Sequence, residues 1–187
     1  MENIGWVAQT GSSEEFLQVY EPGLAAAWRD RVFGTLLECA LANHDPKTRV
    51  ELGSRLLDDG ADPSVLAEDG GTVAHAMLAR HNHLPELEAP LLERLFDGGA
   101  DVNKVVRVKA LGTPLNALKK QYKFSDEFFG PFYDVFFSRD DLDLQGEMMN
   151  GHSGMNILRK SGDLRPDLLR RAEEYLRARG VDPDEVK

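Results

Sequence analysis

A short phrase that comes back at regular intervals constrains this chain more than any other feature. Leu56-Leu57-Asp58-Asp59-Gly60-Ala61-Asp62-Pro63 returns as Leu95-Phe96-Asp97-Gly98-Gly99-Ala100-Asp101-Val102-Asn103. Weaker echoes follow at Phe136-Phe137-Ser138-Arg139-Asp140-Asp141-Leu142-Asp143 and at Tyr175-Leu176-Arg177-Ala178-Arg179-Gly180-Val181-Asp182-Pro183. The matching aspartates Asp62, Asp101, Asp143 and Asp182 are 39, 42 and 39 positions apart. A period of this size predicts stacked supersecondary units that bury their apolar faces against one another. It favours a surface that holds a partner over a cleft that does chemistry.

A second signal runs in step with the first. Gly34-Thr35, Gly71-Thr72 and Gly112-Thr113 each open a short helical pattern, and Gly154-Met155 occupies the fourth slot. Threonine is a good N-cap, and Pro114 falls at a first helical position, where a missing N–H does no harm. A longer helix is predicted to start at each of Asp45-Pro46, Leu84-Pro85 and Arg165-Pro166, with Glu86 and Asp167 favourably placed for the helix dipole. Val50, Leu56 and Leu57, and Leu87, Leu91, Leu92, Leu95 and Phe96, form its apolar stripes. Gly60, Gly99 and Gly180 then stop the helices as residues able to take a positive φ. In the third unit Gly130-Pro131 interrupts the long helix, which is therefore expected to start near Pro131 after an extra turn over Phe124 to Phe129. Upstream, Ser12 and Glu15 are spaced as a capping box for a helix carrying Phe16, Leu17 and Tyr20. Leu24 to Phe33 reads as a further helix carrying Trp28 and Phe33.

The unit of cap, short helix, turn, longer helix and glycine stop resembles the ankyrin repeat. Thr113-Pro114-Leu115-Asn116 and Thr72-Val73-Ala74-His75-Ala76 are similar to that family's helix start. Gly60-Ala61-Asp62-Pro63 and Gly99-Ala100-Asp101-Val102-Asn103 are similar to its helix exit. The resemblance covers Phe33 to Pro183 and departs from the family in length, since these units exceed the usual repeat of about 33 residues. Asp140-Asp141-Leu142-Asp143 lacks the glycine, and Gly154-Met155-Asn156-Ile157 lacks the threonine and proline. It implies an all-α, ankyrin-like helical solenoid of about four helix-turn-helix repeats with short finger loops, in one domain over 1–187. The N-terminal helical cap would cover 1–32, and the repeats 33–69, 70–110, 111–152 and 153–187, the last serving as the C-terminal cap.

Charge narrows the partners. The formal net charge is −10, which disfavours nucleic acid and anionic membranes and favours a basic protein. The acids and bases are banded. Eleven acids and three bases lie from Glu51 to Asn103, six bases and no acid from Lys104 to Phe124, and seven acids and one base from Ser125 to Glu147. No apolar run approaches the ~20 residues needed to span a bilayer. Met1 to Gln9 lacks the basic-then-apolar pattern of a secretory signal. The single cysteine, Cys39, admits no intramolecular disulfide, and a cytoplasmic location is expected.

Little in the sequence suggests catalysis. His81 and His83 stand in a His-x-His pair that straddles a predicted helix end, without the spacing of a metal site. His75 occupies the slot of a structural helix-start histidine, and Cys39 sits on a predicted inner helix face. Gly70-Gly71-Thr72 lacks a phosphate-loop frame. The expectation is therefore no catalytic residue, no metal and no cofactor.

The distinctive composition is aromatic. Tyr122, Phe124, Phe128, Phe129, Phe132, Tyr133, Phe136 and Phe137 are eight of the fifteen aromatics. Most are expected in the core, with Tyr122, Phe124 or Phe128 free to anchor a partner. Val105-Val106-Arg107-Val108-Lys109-Ala110 alternates and predicts a two-strand finger, while Glu147-Met148-Met149-Asn150 places two methionines in a polar loop. In ankyrin-like stacks such fingers line the concave binding side. The candidate contact residues are therefore Glu68, Asp69, Arg107, Lys109, Lys119, Lys120, Tyr122, Phe124, Glu147, Met148 and Met149. The function this implies is stoichiometric protein binding by a chain that is a monomer on its own. The resemblance and the charge together suggest an inhibitor or bacterial immunity protein that neutralises a basic toxin domain such as a nuclease. The alternative is an adaptor, scaffold or effector-type protein with several weaker partners.

Overall fold

Helices dominate the computed structural model, which describes residues 3–187. Eleven α-helices and two small strand pairs are formed among those residues, and 53% of the chain is helical. The all-α class expected from the caps and periodicities is adopted. Met1 and Glu2, where the expected cap and the stretch inspected for a signal begin, lie outside the described residues. The chain divides into two compact units, Met1–Asp101 and Val102–Lys187, and the expected second repeat, 70–110, spans that boundary in sequence.

In the first unit, α1 (Ile4–Thr10) and α2 (Ser13–Val19) precede a single turn, α3 (Leu24–Ala27). Two hairpins follow, α4 (Leu36–Leu41) with α5 (Pro46–Asp58) and α6 (Val73–Leu78) with α7 (Pro85–Asp97). The caps form as the sequence predicts. Ser12 and Glu15 make the reciprocal capping box. Thr35 Oγ1 accepts from Glu38 N at 3.0 Å, and Asp45 accepts from Thr48 N at 3.0 Å ahead of Pro46. At α6 the third helical residue is a histidine, and His75 Nδ1 accepts from Thr72 N at 3.1 Å. The long helices end on Gly60 and Gly99, at φ 91° and 107°, and the following alanines close the last turn by donating to Leu56 O and Leu95 O. Helix α4 packs against α1 and α6, and α5 against α2 and α7, so short helices make one layer and longer helices another. Leu36, Leu37, Leu41, Leu52, Leu56, Leu92 and Leu95 fill the space between them. Each such side chain contributes about 1.5–3 kcal/mol by leaving water. Pro90 lies inside α7 on its solvent side, a feature the apolar stripe does not reveal.

The expected helix over Leu24 to Phe33 is corrected by the structure. It stops after one turn, and β1 (Arg29–Asp30) pairs antiparallel with β2 (Gly34–Thr35) to make a finger. Asp30 Oδ1 accepts from Val32 N and Phe33 N, at 2.7 and 3.0 Å, and Gly34 takes φ 75°. These local bonds satisfy the backbone in a turn that the apolar spacing alone reads as helical.

In the second unit, α8 (Pro114–Lys119) is followed by α9 (Gly130–Phe137), and α10 (Gly154–Arg159) by α11 (Pro166–Ala178). Helix α9 starts one residue before Pro131, after a 3-10 turn over Glu127–Phe129, as the interrupting proline predicts. Helix α11 packs on α9 and α10. The aromatic core is Phe129, Phe132, Tyr133 and Phe136, all with no exposed surface.

Each unit buries an arginine. Arg49 Nη1 donates to Asn43 O (3.0 Å) and Nη2 to Asn82 O (2.6 Å). Its Nε lies 2.8 Å from Glu88 Oε1 without directing the N–H at it, so this contact is an ion pair and not an aligned hydrogen bond. Glu88 Oε2 accepts from Leu84 N at 2.7 Å and lies 3.2 Å from His83 Nδ1. Arg165 instead donates to three carbonyls, Lys119 O, Phe124 O and Gln121 O, at 3.3, 3.0 and 2.8 Å, and its guanidinium lies 5.2 Å from the Phe129 ring centre. Beside it, buried Asp126 accepts from Tyr133 OH (2.7 Å) and from Asp167 N and Leu168 N, which are otherwise orphan donors at the start of α11.

Candidate functional site

Two fingers lie side by side in the second unit. The first is narrower than the alternation predicts. A single bridge, Val106 with Gly112, closes over a 3-10 turn at Val108–Ala110, and no two-strand ladder forms. Val106 is buried while Arg107, Val108 and Lys109 are exposed. Lys109 and Ala110 both take positive φ, 53° and 51°, which costs a non-glycine residue about 1–2 kcal/mol. The second finger replaces the expected polar loop: β3 (Glu147–Met149) pairs with β4 (His152–Ser153) across Asn150-Gly151, both at positive φ. Asn-Gly is the sequence such a two-residue hairpin turn favours.

The base of the first finger rests on the second. Thr113 N donates to Met148 O at 3.0 Å. A Cβ on Gly112, at φ 75°, would lie 2.6 Å from that same oxygen, so only glycine permits the approach. Arg107 Nη2 donates to Glu147 Oε2 at 2.9 Å. Gly151 N bonds to Glu147 as well, and that bond first, with Arg107, holds its carboxyl below the usual range. Met148 is buried, and Met149 Sδ lies 3.4 Å from Asn116 Nδ2. Lys120 Nζ donates to Ala110 O at 3.1 Å, tying α8 to the first finger. Lys119 points inward, 5% exposed, and donates to Ser161 Oγ at 2.8 Å. Lys119 and Met148, expected among the contact residues, are therefore buried and present no side-chain surface to a partner.

Beyond α8 an aromatic platform reaches the surface. Tyr122 is 59% exposed. Phe124 stacks on Phe128, with ring centres 4.5 Å apart and planes within 10°, and both meet the edge of buried Phe129. Lys123 Nζ sits 5.6 Å from the Phe124 ring centre. Phe128, weighed in the sequence as one of three surface candidates, supplies the rear face of this stack.

Glu68 and Asp69 belong to the first unit, in a turn closed by Ala67 N donating to Gly71 O and by Asp69 accepting from Gly71 N. With the β1–β2 finger this turn encloses a groove of about 280 Å³ lined by Arg29, Asp30, Val32, Glu38, Leu66 and Glu68, among others. Val32 and Leu66 are exposed at 84% and 43%. Burial, and Asp69 to a lesser degree, pushes the Glu38 carboxyl up from its ordinary value. The sequence gives no sign of this groove because its finger reads as helix.

His75 caps α6, and burial pushes the Cys39 thiol up to about 12. His83 is buried against Glu88. Among the described residues no group of three or more His, Cys, Asp and Glu could hold a metal ion, and no helix is long and apolar enough to cross a membrane.

The fold and these surfaces define a mostly helical protein of paired short and long helices with projecting fingers. The chain shares that fold with a functionally unknown protein from Leptotrichia buccalis C-1013-b, at 19% sequence identity and a TM-score of 0.69, over 96% of each chain. No protein-family model and no curated protein matches the chain.

Proposed function

We propose that this chain works by binding one protein partner stoichiometrically, as a divergent ankyrin-repeat protein whose binding is itself the activity. The observation that carries the reading is the aromatic platform. Exposed Tyr122 and the half-buried Phe124–Phe128 stack stand on rigid, buried Phe129. Aromatic side chains held in this way supply contact area at low entropic cost and dominate hot spots. The helical pairs repeating at about 40 residues support a repeat architecture, and the net charge of −10 supports a basic partner. The specific form is an inhibitor or immunity protein of the cytoplasm that occludes a cationic toxin domain such as a nuclease. Electrostatics then sets association rate and selectivity more than total affinity.

The reading predicts a small basic domain encoded beside this gene, and the test is isothermal titration calorimetry against that domain. A 1:1 complex is expected, and Tyr122→Ala with Phe124→Ala should weaken it by about 2 kcal/mol or more, the hot-spot range. Several weak partners, or affinity indifferent to both substitutions, would remove the inhibitor reading and favour an adaptor.

A further inference from the structure

In the first unit, the α4–α5 and α6–α7 turns enclose a small cleft of about 140 Å³ lined by His44, Ala79, Arg80, His81 and Asn82. Its charge is out of balance. Arg80 is near enough to Arg49 to lower its basicity, and Glu88 is committed to Arg49, His83 and Leu84 N. Asp45 is turned to Thr48, where it caps α5. Arg80 Nη1 donates weakly to Ala42 O at 3.3 Å, while its Nε is enclosed and meets no acceptor among the described residues. Burial pulls the Arg80 guanidinium below its ordinary value.

A partly desolvated guanidinium without a carboxylate is costly, because the charge has lost water and gained no counter-ion. Arg also presents a planar fork of donors matched to oxyanions. We propose that the cleft of His44, Arg80, His81 and Asn82 binds an oxyanion, carboxylate or phosphate, whose negative charge completes the unpaired Arg80 guanidinium. The site lies in the first unit and does not depend on the aromatic platform.

The experiment is a solution NMR titration of the full chain, reading the Arg80 Nε–Hε and His44 ring signals. One arm adds inorganic phosphate, a second adds an acetylated, amidated tripeptide of glutamates, and a third adds sodium chloride. Saturable shifts are expected in the phosphate or peptide arm, with linear and smaller ones in chloride. Arg80→Gln should weaken binding by about tenfold or more, as loss of a charge-assisted contact implies. His44→Asn, at an exposed position that leaves the core untouched, should weaken it less. Saturation by phosphate alone identifies a free anion, and saturation by the peptide alone identifies an acidic side chain of a partner. Shifts that stay linear in both arms, or binding unchanged in both variants, would overturn the proposal. A retained melting transition in His44→Asn keeps the test valid should Arg80→Gln unfold.

Discussion

The two units anchor their long helices with the same residue type and opposite chemistry. In the first, Arg49 is sealed in with a carboxylate, and Glu88 in turn holds His83 and the start of α7. In the second, Arg165 spends its donors on three backbone carbonyls and lies over the Phe129 ring. The nearby acid, Asp126, serves a tyrosine and a helix start. An ion pair ties two side chains to each other's presence, so losing one strands the other. An arginine clamped on carbonyls leaves only weak acceptors behind. The first unit is therefore the more brittle at its anchor, though neither anchor is intrinsically the stronger.

The sharpest break of this comparison is Glu88→Ala. It leaves Arg49 charged and enclosed and should cost about 3–5 kcal/mol in urea unfolding. The double variant Arg49→Met with Glu88→Leu should recover most of that loss, because a well-packed apolar pair can replace a buried ion pair at little cost. Arg165→Met should cost less, about 3 kcal/mol, from orphaned buried carbonyls. A loss in Arg165→Met larger than in Glu88→Ala would end the distinction.

Protonation sharpens it next. Burial raises the phenols of Tyr20 and Tyr133 above their ordinary value, with Asp59 and Asp126 respectively adding to the effect. The folded chain then keeps protons that the unfolded chain releases, so stability falls as pH rises above about 10. Tyr133→Phe should cost about 2 kcal/mol at neutral pH through the bond to Asp126, and its deficit should shrink above pH ~10. A deficit constant from pH 7 to 11 would refute this. On the acid side, the Asp45 carboxyl is held down by the Thr48 N–H bond and that of Asp141 by Arg139. Both contribute stability that is lost as pH falls below the ordinary carboxylate range.

The smallest effect compares the caps. Thr35→Ala should cost about 1 kcal/mol. Thr113→Ala should cost less, since its bond to Asn116 N is 3.4 Å against 3.0 Å at Thr35. Thermal melts of the two variants decide the order.

Much of the scaffold was legible because it is written in local chemistry. Prolines at helix starts, Thr and Ser caps, and glycines past the last turn act within four residues of themselves, and Pro46, Thr35 and Gly60 do what their types require. The β1–β2 finger was not legible. Leu24 and Trp28, four apart, satisfy a helical spacing, and only the Asp30 turn and the pairing with Gly34 reveal otherwise. The buried charges were invisible for a related reason. Arg49, Glu88 and Arg165 sit in sequence stretches full of exposed charge, and nothing in residue type separates an enclosed arginine from a solvated one. In the candidate site, Tyr122 and Phe124 were found from composition. The inward turn of Lys119 and Met148 depends on Ser161 and Thr113 through contacts that no pattern of spacing encodes.

The side-chain bonds that join one helical pair to another share a reach. Tyr20 to Asp59, Arg94 to Asp58, Asn103 to Asp141 and Tyr175 to Arg139 span 39, 36, 38 and 36 residues. Within a unit, each of these bonds ties a segment to the one about one helical pair away. Amide hydrogens within each unit should exchange in blocks that follow the helical pairs. Within either unit, a cut that loosens one helical pair would take from its neighbour the bonds that reach across to it.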